Sequence, residues 1–177
     1  VFFNVVLSYG METAFFRFYS KEDDKRKVIS TSTISLFWST IGFLILFLLF
    51  RKDLALWSKI NVEYIVFTIW ILALDALAII PFSKIRAEGR PIKYAIIKIL
   101  NVVINLSLNI FFLAFLPNWA TNTDNVFIQT IYHEDFQIGY IFVSNLIASL
   151  FTLLFVLPDY FKIKWQFDVD LWKKMMQ

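Results

Sequence analysis

An all-α transmembrane bundle is the fold this sequence predicts, and three observations predict it. Apolar residues gather into five runs close to the length needed to cross a bilayer. The mean hydropathy is +0.65, and 59% of the residues are hydrophobic and 19% aromatic, where a soluble domain is about 45–50% apolar even with glycine counted. Lysines and arginines collect between the runs, with an excess in alternate loops. Helices follow, because an open sheet would leave backbone groups unpaired in lipid. A transmembrane barrel would show short alternating segments, and these runs are continuous.

Taken in order, spans are expected near residues 1–19, 28–50, 64–82, 92–116 and 139–157. The first carries Glu12 and Arg17 and is the least apolar of the five. The second contains an uncharged core, Ile41 to Phe50, and opens on Thr31, Ser32, Thr33, Ser35 and Ser39, which read as packing residues. Asp75 lies inside the third, and Lys98 near the start of the fourth. Ser144, Asn145, Ser149 and Thr152 give the fifth a mild polar face suited to packing. The connection 117–138 is long, with turn residues Pro117, Asn118, Asn122, Asp124 and Asn125, and its Phe127–Tyr132 stretch suits a membrane interface. Residues 1–158 thus form a helix bundle, and 159–177 a tail. The tail alternates apolar and charged residues like a strand, but a lone strand has no partner. An extended interfacial linker is expected, with Asp168 or Asp170 capping a short helix after it.

Five Lys/Arg lie around the first loop, five at the third and four in the tail, fourteen of the seventeen in the chain. By the positive-inside rule these three regions are cytoplasmic, so the first span runs inward. A cytoplasmic N-terminus would need a further helix upstream. The opening Val1-Phe2-Phe3 and the tail ending in a nascent helix likewise read as a piece of a longer protein. The net charge of +3 speaks for lipid headgroups rather than nucleic acid, because the basic residues lie between apolar runs. Without cysteine there is neither disulfide nor thiolate metal site. No zinc pattern, phosphate-binding glycine loop or catalytic set is present, and the lone His133 sits in a loop. No enzyme, metal or bound cofactor is expected.

Tyr94, Lys98, Asn101, Asn105 and Asn109 fall within an arc of roughly 80° of one helix. Amides and an ammonium do not belong against acyl chains, so this stripe faces protein or a wet cavity. It serves either as helix–helix glue or as a cavity lining, and Lys98 either joins it or snorkels to the surface. Asp75, costly in mid-membrane, is either a protonatable or cation-linked switch or a structural partner for Lys98, Arg17 or an asparagine. Asn4, Ser8 and Glu12 share a face, which makes Glu12 a cavity or pairing candidate. Arg17 lies about 140° from it, beside the basic loop, and suits headgroup contact. The run Pro81–Pro91, with Lys84, Arg86 and Arg90, either fixes topology or captures a phosphorylated headgroup.

At Gly10-Met11-Glu12-Thr13-Ala14-Phe15-Phe16-Arg17-Phe18, at Lys21-Glu22, at Asp75 through Glu88 and at Phe167 through Met175, the chain resembles the polysaccharide biosynthesis membrane proteins of the O-antigen flippase type. These belong to a MATE-like superfamily that includes MATE drug exporters and the lipid II flippase. The resemblance covers nearly the whole chain, and its motifs are moderately specific. It implies that the five spans are helices two to six of one six-helix lobe in a bacterial inner-membrane protein. It implies alternating access that carries an undecaprenyl-diphosphate-linked glycan, such as a lipopolysaccharide precursor, to the outer leaflet. Lys98 and Arg17 are the cationic candidates within spans for the diphosphate, and Asp75 or Glu12 the candidates for coupling to H+ or Na+. Membrane lipids, the lipid-linked glycan and glycan-synthesis enzymes are the implied partners. Two other functions remain open: a cation-coupled drug exporter, and a non-transporting scaffold for glycan synthases. A membrane enzyme stands third.

Overall fold

The structure, a computed structural model, describes residues 9–122, 132–161, 163 and 165–176. Among them the fold is all-α. In chain order the elements are α1 (Met11–Lys21), α2 (Lys25–Leu49), α3 (Arg51–Ser58), α4 (Val62–Ala87) and α5 (Pro91–Ile110). A π-helical turn (Phe111–Phe115), α6 (Leu116–Asn122), a 3-10 turn (Glu134–Phe136), α7 (Gln137–Phe161) and α8 (Val169–Met175) complete it. Four helices are long and apolar enough to cross a membrane: Lys25–Leu49, Val62–Ala87, Pro91–Ala120 and Gln137–Phe161. They match the expected spans from the second to the fifth. Most run a few residues further at their ends, because charged residues continue a helix that hydropathy cannot follow.

The first expected span differs. Residues 1–8 lie outside the described residues, and from Met11 the chain forms a helix of only 11 residues. A helix unbroken over 1–19 is excluded by Tyr9 at φ 37 and Gly10 at φ 77, both in the left-handed region. This short helix is amphipathic, with Glu12 in its first turn and Lys21 in its last, both favourable to the helix dipole. It buries Met11, Phe15 and Phe18 against Val28, Ile29 and Leu36 of α2, Ile80 of α4, and Leu171 and Met175 of α8. The expected interfacial stretch Phe127–Tyr132 lies outside the described residues up to 131.

Local chemistry sets the boundaries. Asp24 caps α2 by accepting from the backbone N–H groups of Arg26 and Lys27 at 3.2 and 3.4 Å. The short helix α3, which no hydropathy pattern announced, stops where Lys59 turns left-handed at φ 57. Gly89 at φ 70 ends the turn after α4, and Pro91 opens α5, where a missing N–H costs nothing. Pro117 has the opposite effect. Inside a helix it removes a donor and crowds the preceding turn. The helix widens just before it, so that Leu116 N–H reaches back five residues to Phe111 O.

The long helices lie side by side in the order α2, α4, α7, α5. The apolar window of α4 is 44% buried and that of α5 only 6%, so α4 is central and α5 peripheral. Small residues make the central contact close: Ala73, Ala76 and Ala78 of α4, and Ser144, Ala148 and Ser149 of α7, are buried. Ile92, Ile96, Ile99, Val102, Val103, Leu106 and Ile110 cover the outward face of α5. That contiguous apolar surface is suited to acyl chains.

The tail pairs in a way its strand-like pattern did not reveal. Ser30 Oγ donates to Gln166 O at 2.6 Å, and Gln166 N–H lies 2.8 Å from that same hydroxyl. Asp168 N–H donates to Thr31 Oγ1 at 3.2 Å. The hydroxyls that open α2 therefore satisfy the extended backbone in place of a neighbouring strand. Asp168 then caps α8, accepting from Leu171 N–H at 3.0 Å.

Candidate functional site

Two polar constellations stand out in this apolar bundle: a seam across the middle of three helices, and a charged cluster at their Lys/Arg-rich end.

The seam centres on α7. Ser149 Oγ donates to Asp75 Oδ1 of α4 at 2.9 Å. Asn101 Nδ2 of α5 donates to Thr152 Oγ1 at 2.8 Å, and Asn105 Nδ2 to Asn145 Oδ1 at 3.2 Å. Asn145, Ser149 and Thr152 succeed one another at i, i+4 and i+7, so one face of α7 serves both neighbours. Asp75 lies at the middle of α4 and Ser149 at the middle of α7, which puts their contact farthest from either end of both helices. Asn109 turns back onto its own helix, with Nδ2 2.7 Å from Asn105 Oδ1 and 2.9 Å from Asn105 O. Its own Oδ1 is buried with no hydrogen-bond partner among the described residues. The stripe thus faces protein at Asn101 and Asn105, where it ties α5 to α7. At Asn109 it leaves one acceptor unused.

Lys98 does not extend the seam. It is exposed, with its ammonium 4.8 Å from the centre of the Phe82 ring. Phe82 belongs to a cluster with Ala78, Ile85, Ile97 and Val156 toward the basic end.

At that end, Glu12 of α1 pairs with Arg86 of α4, and Ser83 Oγ donates to Glu12 at 3.3 Å. Arg86 also lies over the rings of Phe16 and Tyr94, at 4.9 and 5.5 Å. Glu12 and Arg86 are therefore joined to each other, away from the seam. Arg90 Nε lies 3.6 Å from Glu88. Arg17 is exposed and stacks 5.5 Å from the neighbouring Phe18 ring. Lys84 sits between two carboxylates, 3.9 Å from Glu88 and 4.0 Å from Asp159.

Two residues that sequence reasoning missed organise this end. Asp159 is 4% exposed. It accepts from Lys93 Nζ at 2.7 Å, which with Lys84 connects α7 to both α4 and α5. Tyr160 Oη donates to the carbonyl of Leu77. Pro81 lies inside α4 and has no N–H, so Leu77, four residues earlier, has lost its helical donor. The Tyr160 hydroxyl replaces it from the neighbouring helix, which apolar surroundings require. The available signal was a proline four residues from a carbonyl in one apolar run, and a tyrosine at the matching end of another.

Among the described residues, no group of three or more metal-ligating side chains occurs. No family model matches the chain, and neither a curated protein nor a solved structure is significantly similar to it.

Proposed function

We propose that the chain is part of one lobe of a bacterial inner-membrane flippase that moves a polyprenyl-diphosphate-linked oligosaccharide to the outer leaflet. The observation that carries this reading is the Asp75–Ser149 contact, midway along two apolar helices and continued by amides onto a third. A carboxylate at that depth is expensive and marks ion or substrate pathways in membrane proteins. The segment similarities at Gly10–Phe18 and Asp75–Glu88 supply the substrate class. In this reading the basic end is cytoplasmic, and the bundle rocks against a second lobe, with the glycan in a wet interior and the polyprenyl tail in lipid. Asp75 takes up H+ or Na+ as the lobes rock, and Asn109, with its free acceptor, meets sugar hydroxyls.

The test is reconstitution of the full-length protein into vesicles carrying the lipid-linked glycan, with outer-leaflet glycan followed by an impermeant lectin. Movement that Asp75→Asn slows at least tenfold supports the proposal. Absence of movement with properly inserted protein overturns it, and ion-driven export of a small cationic dye would replace it with a drug exporter. One observation favours a second reading, a non-transporting scaffold: Asn101 and Asn105 both hold α5 to α7. Static helices, with no movement of either substrate, would favour that scaffold.

A further inference from the structure

We propose that the Lys/Arg-rich end carries a separate binding site for the phosphate of an anionic lipid headgroup, built by Lys25, Arg26 and Lys84. These three cations line a cleft of about 440 Å³ between the end of α1, the start of α2 and the end of α4. Ile29, Ile163 and Tyr19 complete its walls, and Glu88 is the acidic residue among those lining it.

Three features point to an anion. Lys84 has a side chain only 12% exposed, yet its carboxylate neighbours stand at 3.9 and 4.0 Å, beyond hydrogen-bond range. A nearly buried ammonium with loosely placed partners has donors to offer a ligand. Lys25 and Arg26, by contrast, are exposed, and among the described residues neither has a carboxylate within ion-pair distance. Lys25 instead lies 5.3 Å from the centre of the Tyr19 ring. Both also occupy the first turn of α2, whose capping carboxylate, Asp24, is engaged by the backbone N–H groups of Arg26 and Lys27 rather than by either cationic side chain, so these charges are left for an anion between them and Lys84.

Position selects a lipid phosphate over a soluble one. Lys25 begins one spanning helix and Lys84 lies near the end of another, so the cleft sits at headgroup depth. Its isoleucine walls offer apolar contact to the glycerol that a bare phosphate lacks. Arg86, in the same basic run, is paired with Glu12, and neither it nor Arg90 lines the cleft, so the site does not use them. Binding here involves no translocation, so it stands or falls apart from the transport reading.

The test uses full-length protein in detergent, with phosphatidic acid as the probe and native mass spectrometry as the readout of bound lipid. A cation near an anionic headgroup contributes roughly a factor of five. Lys25→Gln/Arg26→Gln, both at exposed positions, is therefore expected to weaken binding on the order of 25-fold. Glu88→Gln is expected to tighten it several-fold, and Lys173→Gln, an exposed cation of α8 outside the cleft lining, to leave it within about twofold. Unchanged binding by the double variant, or an equal loss in Lys173→Gln, overturns the site. Displacement of the lipid by an equal concentration of inorganic phosphate overturns its assignment to a lipid.

Discussion

Replacing Tyr160 with phenylalanine removes one hydroxyl and strands one carbonyl, and the cost is calculable. Leu77 O accepts from Tyr160 Oη because Pro81 supplies no N–H. Leaving a buried acceptor unpaired costs about 1–3 kcal/mol. Interhelical hydrogen bonds in membrane proteins average about 0.6 kcal/mol and reach about 1.7. Tyr160→Phe should therefore destabilise the bundle by roughly 1–1.5 kcal/mol. In a Pro81→Ala background the restored N–H returns to Leu77 O, and the same substitution should cost only a few tenths of a kcal/mol. The double-mutant cycle should then show a coupling of about 1 kcal/mol. Because the cycle isolates the pairwise term, the effect of Pro81→Ala on its own drops out. Reversible unfolding in mixed micelles, followed by tryptophan fluorescence, measures all four corners. Additive effects would refute the claim that the tyrosine replaces the donor missing at the proline.

The other contacts can be tested in the same way. Asp159→Asn should cost about 3 kcal/mol in the same assay, the lower end for a broken buried pair, because Lys93 is 38% exposed; a loss under 0.5 kcal/mol would contradict its joining role. Asn101→Leu should lower stability by about 0.5–1.5 kcal/mol and Asn109→Leu by less, since Asn101 alone of the two bonds across to α7; the reverse order would contradict the assigned contacts. Asp168→Ala removes the α8 cap and the carboxylate facing Lys27, so about 1 kcal/mol of tail docking is lost and limited proteolysis should cut the tail faster, whereas an unchanged rate would show the tail held by other contacts.

The four long helices were legible because uninterrupted apolar runs at spanning length have few other solutions. Their extensions were not, since Lys84 and Arg86 continue α4 while lowering its hydropathy. The helix α3 was hidden for a related reason: Arg51–Ser58 is short and half polar, and reads as a loop. The asparagine stripe was visible from spacing, as was its need to face either protein or a wet cavity. Its partners were not, because the rotation of α7 about its axis depends on packing against α4 and α5 together. Sequence spacing joined Glu12 to Asn4 and Ser8 on one expected helix and could not foresee Arg86, which approaches from 74 residues away. Thr31 read as an ordinary packing residue and Ser30 drew no reading, and their role in pairing with the tail appears only once the chain returns to them.

A bundle threaded through a bilayer has two chemically separate ends, and labelling reads them directly. These 177 residues contain no cysteine, so Lys59→Cys and Arg90→Cys each introduce the single thiol of this region, one at each end of α4, and the unsubstituted protein gives the labelling background. In intact spheroplasts, an impermeant maleimide should label the thiol at position 59 at once, and the one at position 90 only after the membrane is opened. Equal labelling of both before permeabilisation would contradict a membrane-spanning bundle.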